Sequence, residues 1–211
     1  MMNKKLKAIA SFIDKDDVVL DIGCDHAYLT IYLKKNELCR DVYASDINCN
    51  ALNIARKNIQ AENLELTTYL SDGFQNIDNP SINTAVIAGV GTFTVKDIMK
   101  YAPTHVKKFI ISSNNNHEEL RKYLYQNKYY IEKEEVIFEK GKYYIIMLVT
   151  RTPVKESSLS LKYGKSNSKE YFKYLLDKEK DILSKIPNYK FITRHLHKKN
   201  IKELKHFIER N

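Results

Sequence analysis

The chain has 211 residues, 43% hydrophobic and 29% charged, enough for one α/β domain with an ordinary core and a small further module. Its longest apolar run, Tyr143 to Val149, is too short to cross a bilayer, and no apolar stretch follows the basic opening Met1 to Leu6, so neither a membrane span nor a secretory leader is expected. The formal net charge of +9 calls for an anionic partner, and three cysteines, Cys24, Cys39 and Cys49, match no zinc spacing and read as reduced thiols of a cytoplasmic protein.

Residues 4 to 13 predict a short opening helix, and an apolar strand over 18 to 22 follows. That strand runs through Asp21 into Gly23, with a helix over 27 to 35 behind it. A turn of this kind brings backbone close to a ligand at the carboxyl end of a strand, where open α/β sheets keep their binding crevice. A carboxylate at Asp21 would repel a pyrophosphate but suits a ligand that presents an ammonium group. S-adenosylmethionine is such a ligand. The same turn also has a plain conformational reading, since glycine serves many strand-to-helix junctions.

The next strand, 41 to 45, delivers Asp46 at 25 positions after Asp21, the place and chemistry for accepting hydrogen bonds from a ribose diol. Asn48 then caps a helix over 48 to 62. A strand over 64 to 70 ends in Ser71-Asp72-Gly73, where a carboxylate can accept from an exocyclic adenine amine, and one over 83 to 88 ends in Gly89-Val90-Gly91, which leaves room beside a ligand. One ligand in one crevice explains all four strand ends. The candidate lining is therefore Asp21, Gly23, Asp25, His26, Tyr28, Asp46, Ile47, Asn48, Ser71, Asp72, Gly73, Ala88, Gly89, Val90 and Gly91.

Helices over 92 to 101 and 116 to 126 flank a fifth strand at 107 to 112, and Asn114 to Asn116 are placed to cap the second of them, which carries Glu118 and Glu119 in its first turn. Tyr129 to Phe138 and Lys142 to Thr150, separated by Glu139-Lys140-Gly141, read as a β-hairpin. The expected fold is thus α/β, a mostly parallel seven-stranded Rossmann-like sheet over residues 1 to 154.

From Lys155 to Asn167 the chain is polar, contains Gly164 and shows no periodic apolar face, which reads as a linker. Apolar residues at helical spacing from Ser168 to Ile186 and from Phe191 to Ile208, interrupted at Pro187-Asn188, then predict an antiparallel helical hairpin. Charge divides at the same place: residues 1 to 154 hold 20 Lys or Arg against 19 Asp or Glu, and residues 155 to 211 hold 15 against 7. So basic a segment attracts a polyanion through counterion release, although a solvated helical face has the same composition. Lys162, Lys165, Lys173, Arg194, Lys198 and Lys199 are the candidate RNA contacts.

The run Asp21-Ile22-Gly23-Cys24-Asp25-His26-Ala27-Tyr28-Leu29, with Ser71-Asp72-Gly73, Ile87-Ala88-Gly89-Val90-Gly91 and Asn114 to Arg121, resembles the bacterial tRNA adenine-N1-methyltransferases that act at position 22 in the D arm. The resemblance spans most of the first 150 residues and the helical appendage, and Asp-His-Ala-Tyr-Leu is its specific part. It implies a class I methyltransferase fold, S-adenosylmethionine as methyl donor and tRNA as substrate, held in part by the C-terminal helical or coiled-coil module. Two departures stand out: Gly91-Thr92 where the family has a glycine pair, and Ser112-Ser113-Asn114 where it has Gln-Pro-Asn, so only Asn114 is carried over from that loop.

Transfer to adenine N1 needs no strong base, because that lone pair is free without deprotonation; the enzyme's work is an in-line, desolvated approach. Asp25, His26 and Asn114 are the candidate catalytic residues. Each has a plainer alternative: Asp25 and Asn114 as helix caps, His26 as a loop anchor. His105, His117, His195, His197 and His206 form no ligand pair, so no metal is expected, and the chain reads as a monomer. A methyltransferase for another RNA or a small molecule, and a non-catalytic nucleotide-fold binding protein, are the competing readings; the Asn-Pro-Pro-Tyr or Asp-Pro-Pro-Tyr clamp for exocyclic amines is absent.

Overall fold

The computed structural model describes residues 3 to 210, without the side chain of Arg210. Its elements are α1 (Lys4–Ala10), β1 (Val18–Ile22), α2 (Tyr28–Lys35), β2 (Asp41–Asp46), α3 (Cys49–Ala61), β3 (Thr68–Leu70), β4 (Thr84–Ala88), α4 (Thr92–Lys100), β5 (Lys108–Ser112), α5 (His117–Gln126), β6 (Tyr130–Glu139), β7 (Lys142–Thr150), α6 (Ser158–Tyr163), α7 (Lys169–Lys185) and α8 (Phe191–Arg210). The strands form one seven-stranded sheet in the order β3-β2-β1-β4-β5-β7-β6. The first five pair in parallel, and β7 and β6 close the edge as the antiparallel hairpin.

The central strands are buried on both faces, and their side chains alternate between two cores. Val18, Leu20 and Ile22 of β1 join Ile87, Phe109 and Ile111 beneath α4 and α5, whereas Val19 joins Val86 and Ile110 beneath α1 and α2. Strand order reverses between β1 and β4, so the crevice of this sheet opens at the carboxyl ends of those two strands.

Three elements depart from expectation. The opening helix stops at Ala10, where Ser11 takes the C-cap, and β3 keeps only three of the seven residues assigned to it from sequence. The presumed linker contains α6. Ser157 caps it through the Ser160 backbone N–H, the Ser160 hydroxyl accepts from the Ser157 N–H in return, and Gly164, at φ 100°, ends it. Two of the polar residues that read as a linker, Ser157 and Ser160, are thus a capping box, and a helix of six residues is too short to display a period.

The core continues into the appendage. Tyr163 of α6, Tyr171 and Phe172 of α7 and Leu204 of α8 are buried in the same cluster as β1, β4 and β5. Beneath them lies an ion pair with its side chains almost wholly buried. Arg121 donates from Nε to Glu134 Oε1 at 2.6 Å and from Nη2 to Oε2 at 3.3 Å, and from Nη1 to the Lys162 carbonyl.

Candidate active site

At the β1 end, Gly23 takes φ 72° and no atom lies within 4 Å of where its Cβ would be, so the loop is open on that side. The Gly23 and Cys24 N–H groups both donate to the Ser45 carbonyl at 2.9 Å, and the Asp25 N–H donates to Asp46 Oδ2 at 3.0 Å. These bonds join the β1 and β2 ends into one rim. Asp46 Oδ1 accepts from the Asn48 N–H, and Asn48 in turn caps α3 through the Asn50 and Ala51 N–H groups, as the sequence led us to expect. The third strand end joins through the Ser71 N–H, which donates to the Asp46 carbonyl at 3.0 Å.

Asp21 is buried, and Thr30 Oγ1 of α2 donates to its Oδ2 at 2.8 Å. Burial pushes its carboxyl up to about 6; the Thr30 hydrogen bond opposes the rise and the neighbouring charge of Asp46 adds to it. A cavity of about 170 Å³ lies against Asp21, Gly23, Cys24, Asp25, His26, Tyr28, Leu29 and Ala88, with Lys5 and Leu6 of α1 on its far side. The α2 terminus beside it begins at Ala27 in the left-handed region with no side-chain cap, so Asp25 does not play the capping role that was its alternative. Instead its exposed carboxylate lies 3.6 Å from His26 Nε2, and the His26 and Tyr28 rings are 5.4 Å apart. The His26 carbonyl is anchored by Asn58 Nδ2 at 2.9 Å.

The β4 and β5 ends are stapled to each other. Gly89 N–H donates to the Ser112 carbonyl, Asn114 N–H to the Val90 carbonyl, and Asn114 Nδ2 to the Gly89 carbonyl at 2.5 Å. Asn116 occupies the N-cap position of α5, left-handed, and no side chain bonds to the helix start. Asn115 serves α4, its Oδ1 accepting from the Thr92 N–H at 3.1 Å. The two departures from the family pattern meet here: buried Thr92 shares a hydrogen bond with Ser113 between their hydroxyls at 2.9 Å and donates to the Asn115 carbonyl at 2.6 Å.

The structure therefore gathers Asp21, Gly23, Asp25, His26, Tyr28 and Ala88 around one cavity and ties Asp46 and Asn48 to its rim; Gly89, Val90 and Asn114 are bonded to one another after Ala88, and Gly91 is the N-cap of α4. Ile47 is exposed beside Asp46, and Asp72 is exposed with a bond to Gln75. Ser71 and Gly73 serve the loop itself: the Ser71 hydroxyl donates to the Gly73 and Gln75 carbonyls, and Gly73 packs against Ile98 of α4. Sequence reasoning missed Lys5 and Leu6, whose signal was a basic run inside a helix that precedes the sheet.

Among the basic candidates of the appendage, Lys162 pairs with Glu203 at 2.7 Å, and Lys165 pairs with Glu156 and donates to the Ile131 carbonyl. Both ammonium groups hold the appendage together. Arg194 donates to the Leu183 and Ile186 carbonyls at the end of α7, while Lys173, Lys198 and Lys199 are exposed. No cluster of three or more His, Cys, Asp or Glu able to hold a metal exists among the described residues. Nor is any helix among them long and apolar enough to cross a membrane.

The residues fit S-adenosylmethionine chemically: carboxylates for its cationic groups and its ribose, and glycine where backbone must come close. Residues 2–147 match a family model described as a methyltransferase domain. A Mycoplasma genitalium protein provisionally named a tRNA methyltransferase is 32% identical over 154 residues, 71% of this chain and 70% of its own. The Bacillus subtilis tRNA (adenine(22)-N(1))-methyltransferase is 26% identical over 152 residues, 70% of this chain and 64% of its own. The structure of M. capricolum TrmK with its natural cofactor product, S-adenosylhomocysteine, superposes with a TM-score of 0.86 and 29% identity over 99% of this chain and 98% of that one.

Proposed function

The chain belongs to the methyltransferase-domain family, within the bacterial tRNA (adenine-22)-N1-methyltransferase branch, and from that premise we propose how its own residues carry the reaction. It is an S-adenosylmethionine-dependent methyltransferase that modifies N1 of an adenine in tRNA. The observation that carries the site assignment is that hydrogen bonds through Gly23, Cys24, Asp25, Asp46 and Ser71 join the β1, β2 and β3 ends into one rim, beside a cavity that Asp21 of β1 and Ala88 of β4 both line.

S-adenosylmethionine supplies an electrophilic methyl group on sulfur. Asp46, held by two backbone N–H groups, keeps lone pairs free to accept from a ribose diol, and Ile47 and Asp72 flank the place for the donor's adenine. Asn114 spends its NH₂ on the Gly89 carbonyl, which leaves Oδ1 to accept from the exocyclic amine of the target base and so to aim N1 at the methyl group. Asp25, exposed and beside His26, is the carboxylate placed to face the positive charge that methylation leaves on the base. A D-arm base must leave its stack first, at a cost of a few kcal/mol that tRNA contacts have to offset.

We assign two functional parts, a donor-binding and catalytic part over 1 to 154 and a tRNA-holding part over 155 to 211, in which Lys173, Lys198 and Lys199 make the phosphate contacts. The protein acts as a monomer in the cytoplasm, where its substrate is. The test is methyl incorporation from labelled donor into two transcripts of one tRNA, with adenine or guanine at position 22. Label should enter only the first; equal labelling of both would overturn the assignment of the target.

A further inference from the structure

We propose that a hollow along α1 and α2 seats the unpaired tRNA strand next to the target adenine, an inference that rests on the tRNA methyltransferase reading above and deepens it. The hollow, of about 630 Å³, adjoins the cavity at the β1 end, since Leu6 and Tyr28 line both. Tyr28 and Tyr32 stand one turn of α2 apart, on one face of that helix. Lys35 and Asn36 continue the lining along α2, Asn3 faces them from the start of α1, and Lys140 of the β6–β7 turn completes it. Asn3 Oδ1 accepts from the Leu6 N–H, which leaves its amide NH₂ free, and Asn36 Nδ2 donates to the Tyr32 carbonyl, which leaves its Oδ1 free. A donor and an acceptor are thus available to base edges or ribose.

No carboxylate lines this hollow. Glu139, beside Lys140 in sequence, accepts from the Lys4 N–H at 2.8 Å, and Glu62 pairs with Lys35 at 2.6 Å. Among the described residues Lys140 has no ion pair, and neither tyrosine hydroxyl has a hydrogen bond. Tyr28 is 60% exposed, while Tyr32 rests on the core beneath α1 and α2, which fixes its ring. Aromatic rings, free amides and an unpaired ammonium without a carboxylate are the makings of a groove for single-stranded nucleic acid, in which bases stack on rings and phosphates meet cations. The cationic methyl donor finds no counter-charge here, whereas the polyanionic substrate does. Continuity with the cavity through Tyr28 selects the stretch of RNA that carries the target. Stacking on these rings replaces the stack that the neighbouring base loses when the target adenine leaves the arm, and so offsets part of that cost.

The test uses the full chain, saturating methyl donor and tRNA transcripts that carry fluorescent 2-aminopurine on the 5′ or the 3′ side of adenine 22. Wild-type protein should quench the probe on one side, as stacking on a tyrosine does. Tyr32→Leu should lose that quench and raise the KM for tRNA about tenfold, the worth of one stacked base, whereas Tyr32→Phe should keep the quench and a KM within about twofold of wild type. Lys140→Gln should lower the slope of log affinity against log salt by about one. Donor affinity and kcat at saturating tRNA should be those of the wild type in all three variants. An unchanged KM in Tyr32→Leu, or an unchanged salt slope in Lys140→Gln, would overturn the role and leave the hollow to another partner. A Tyr32→Leu loss that falls equally on donor affinity would overturn it too, and would assign the ring to packing. A wild type that leaves adenine 22 unmethylated would refute the reading on which the groove depends, and the groove's role with it.

Discussion

Asp21 is where sequence and physics meet most directly. An acid whose native pKa sits near 6, against 3.8 for the free group, takes up a proton on folding anywhere between those values. The stability that this proton uptake contributes is fully present below the unfolded pKa and is lost as pH rises through about 6, so the charged carboxylate at neutral pH costs about 3 kcal/mol. Asp21→Asn should therefore raise the urea midpoint of the ligand-free protein at pH 7.5 and raise it less at pH 4, while weakening donor binding. A lower midpoint at both pH values would show that the carboxylate is needed structurally. Donor affinity of the wild type should grow as pH rises through about 6, because a cationic ligand favours the ionised form; calorimetry from pH 5 to 7.5 reads this. At this scale the sequence announces Asp21, Asp46 and Asn48, whose roles follow from strand ends and capping. It does not tell that Gly73 leaves room for Ile98, and it is silent on Lys5, which reaches the cavity only through tertiary packing.

Elements carry the second layer of specification. The β4 and β5 loops are held by the hydroxyls of Thr92 and Ser113, so neither residue's effect should be independent of the other. Thr92→Val and Ser113→Ala should each destabilise the fold by about 1 kcal/mol, and the double variant by clearly less than their sum. Full additivity in denaturant titrations would mean that the shared bond contributes nothing. Gly164 is a second such point. A Cβ there would fall 2.2 Å from Glu134 Oε2 and 2.6 Å from Arg121 Nη2, at a backbone angle that disfavours side chains. Gly164→Ala should destabilise by about 2 kcal/mol or more and loosen the appendage, read by hydrogen exchange at Lys162 and Lys165. Wild-type stability and protection would contradict the clasp. Periodicity revealed the long elements, including α7 and α8, because each has enough turns to show a face. It could not reveal α6, whose single capped turn and a half is defined by the buried ion pair that it covers.

At the scale of the whole molecule, charge and packing divide the chain differently. Charge concentrates after residue 154, whereas the hydrophobic core runs on through Tyr163, Tyr171, Phe172 and Leu204. Deleting the appendage would thus uncover the core, and charge removal is the cleaner probe. Replacing Lys173, Lys198 and Lys199 together by Gln should weaken tRNA binding and reduce the slope of log affinity against log salt by about three. Donor affinity should stay within about twofold; a matching loss for the donor would place these residues in general stability instead. The basic tail was legible from composition. That two of its lysines, Lys162 and Lys165, are turned to carboxylates of their own chain was not, because their acidic partners Glu203 and Glu156 are identified only by the fold. The claim on which all three scales converge is one crevice, at the carboxyl ends of β1, β2 and β4, that takes the methyl donor. A crystal structure of the full chain with S-adenosylhomocysteine tests it most directly. The account predicts ribose hydroxyls within hydrogen-bond distance of Asp46 and the amino-acid end in the Asp21 cavity. Ligand bound instead in the larger hollow of about 630 Å³ that runs along α1 and α2 past Ile31, Lys35 and Lys140 would contradict it.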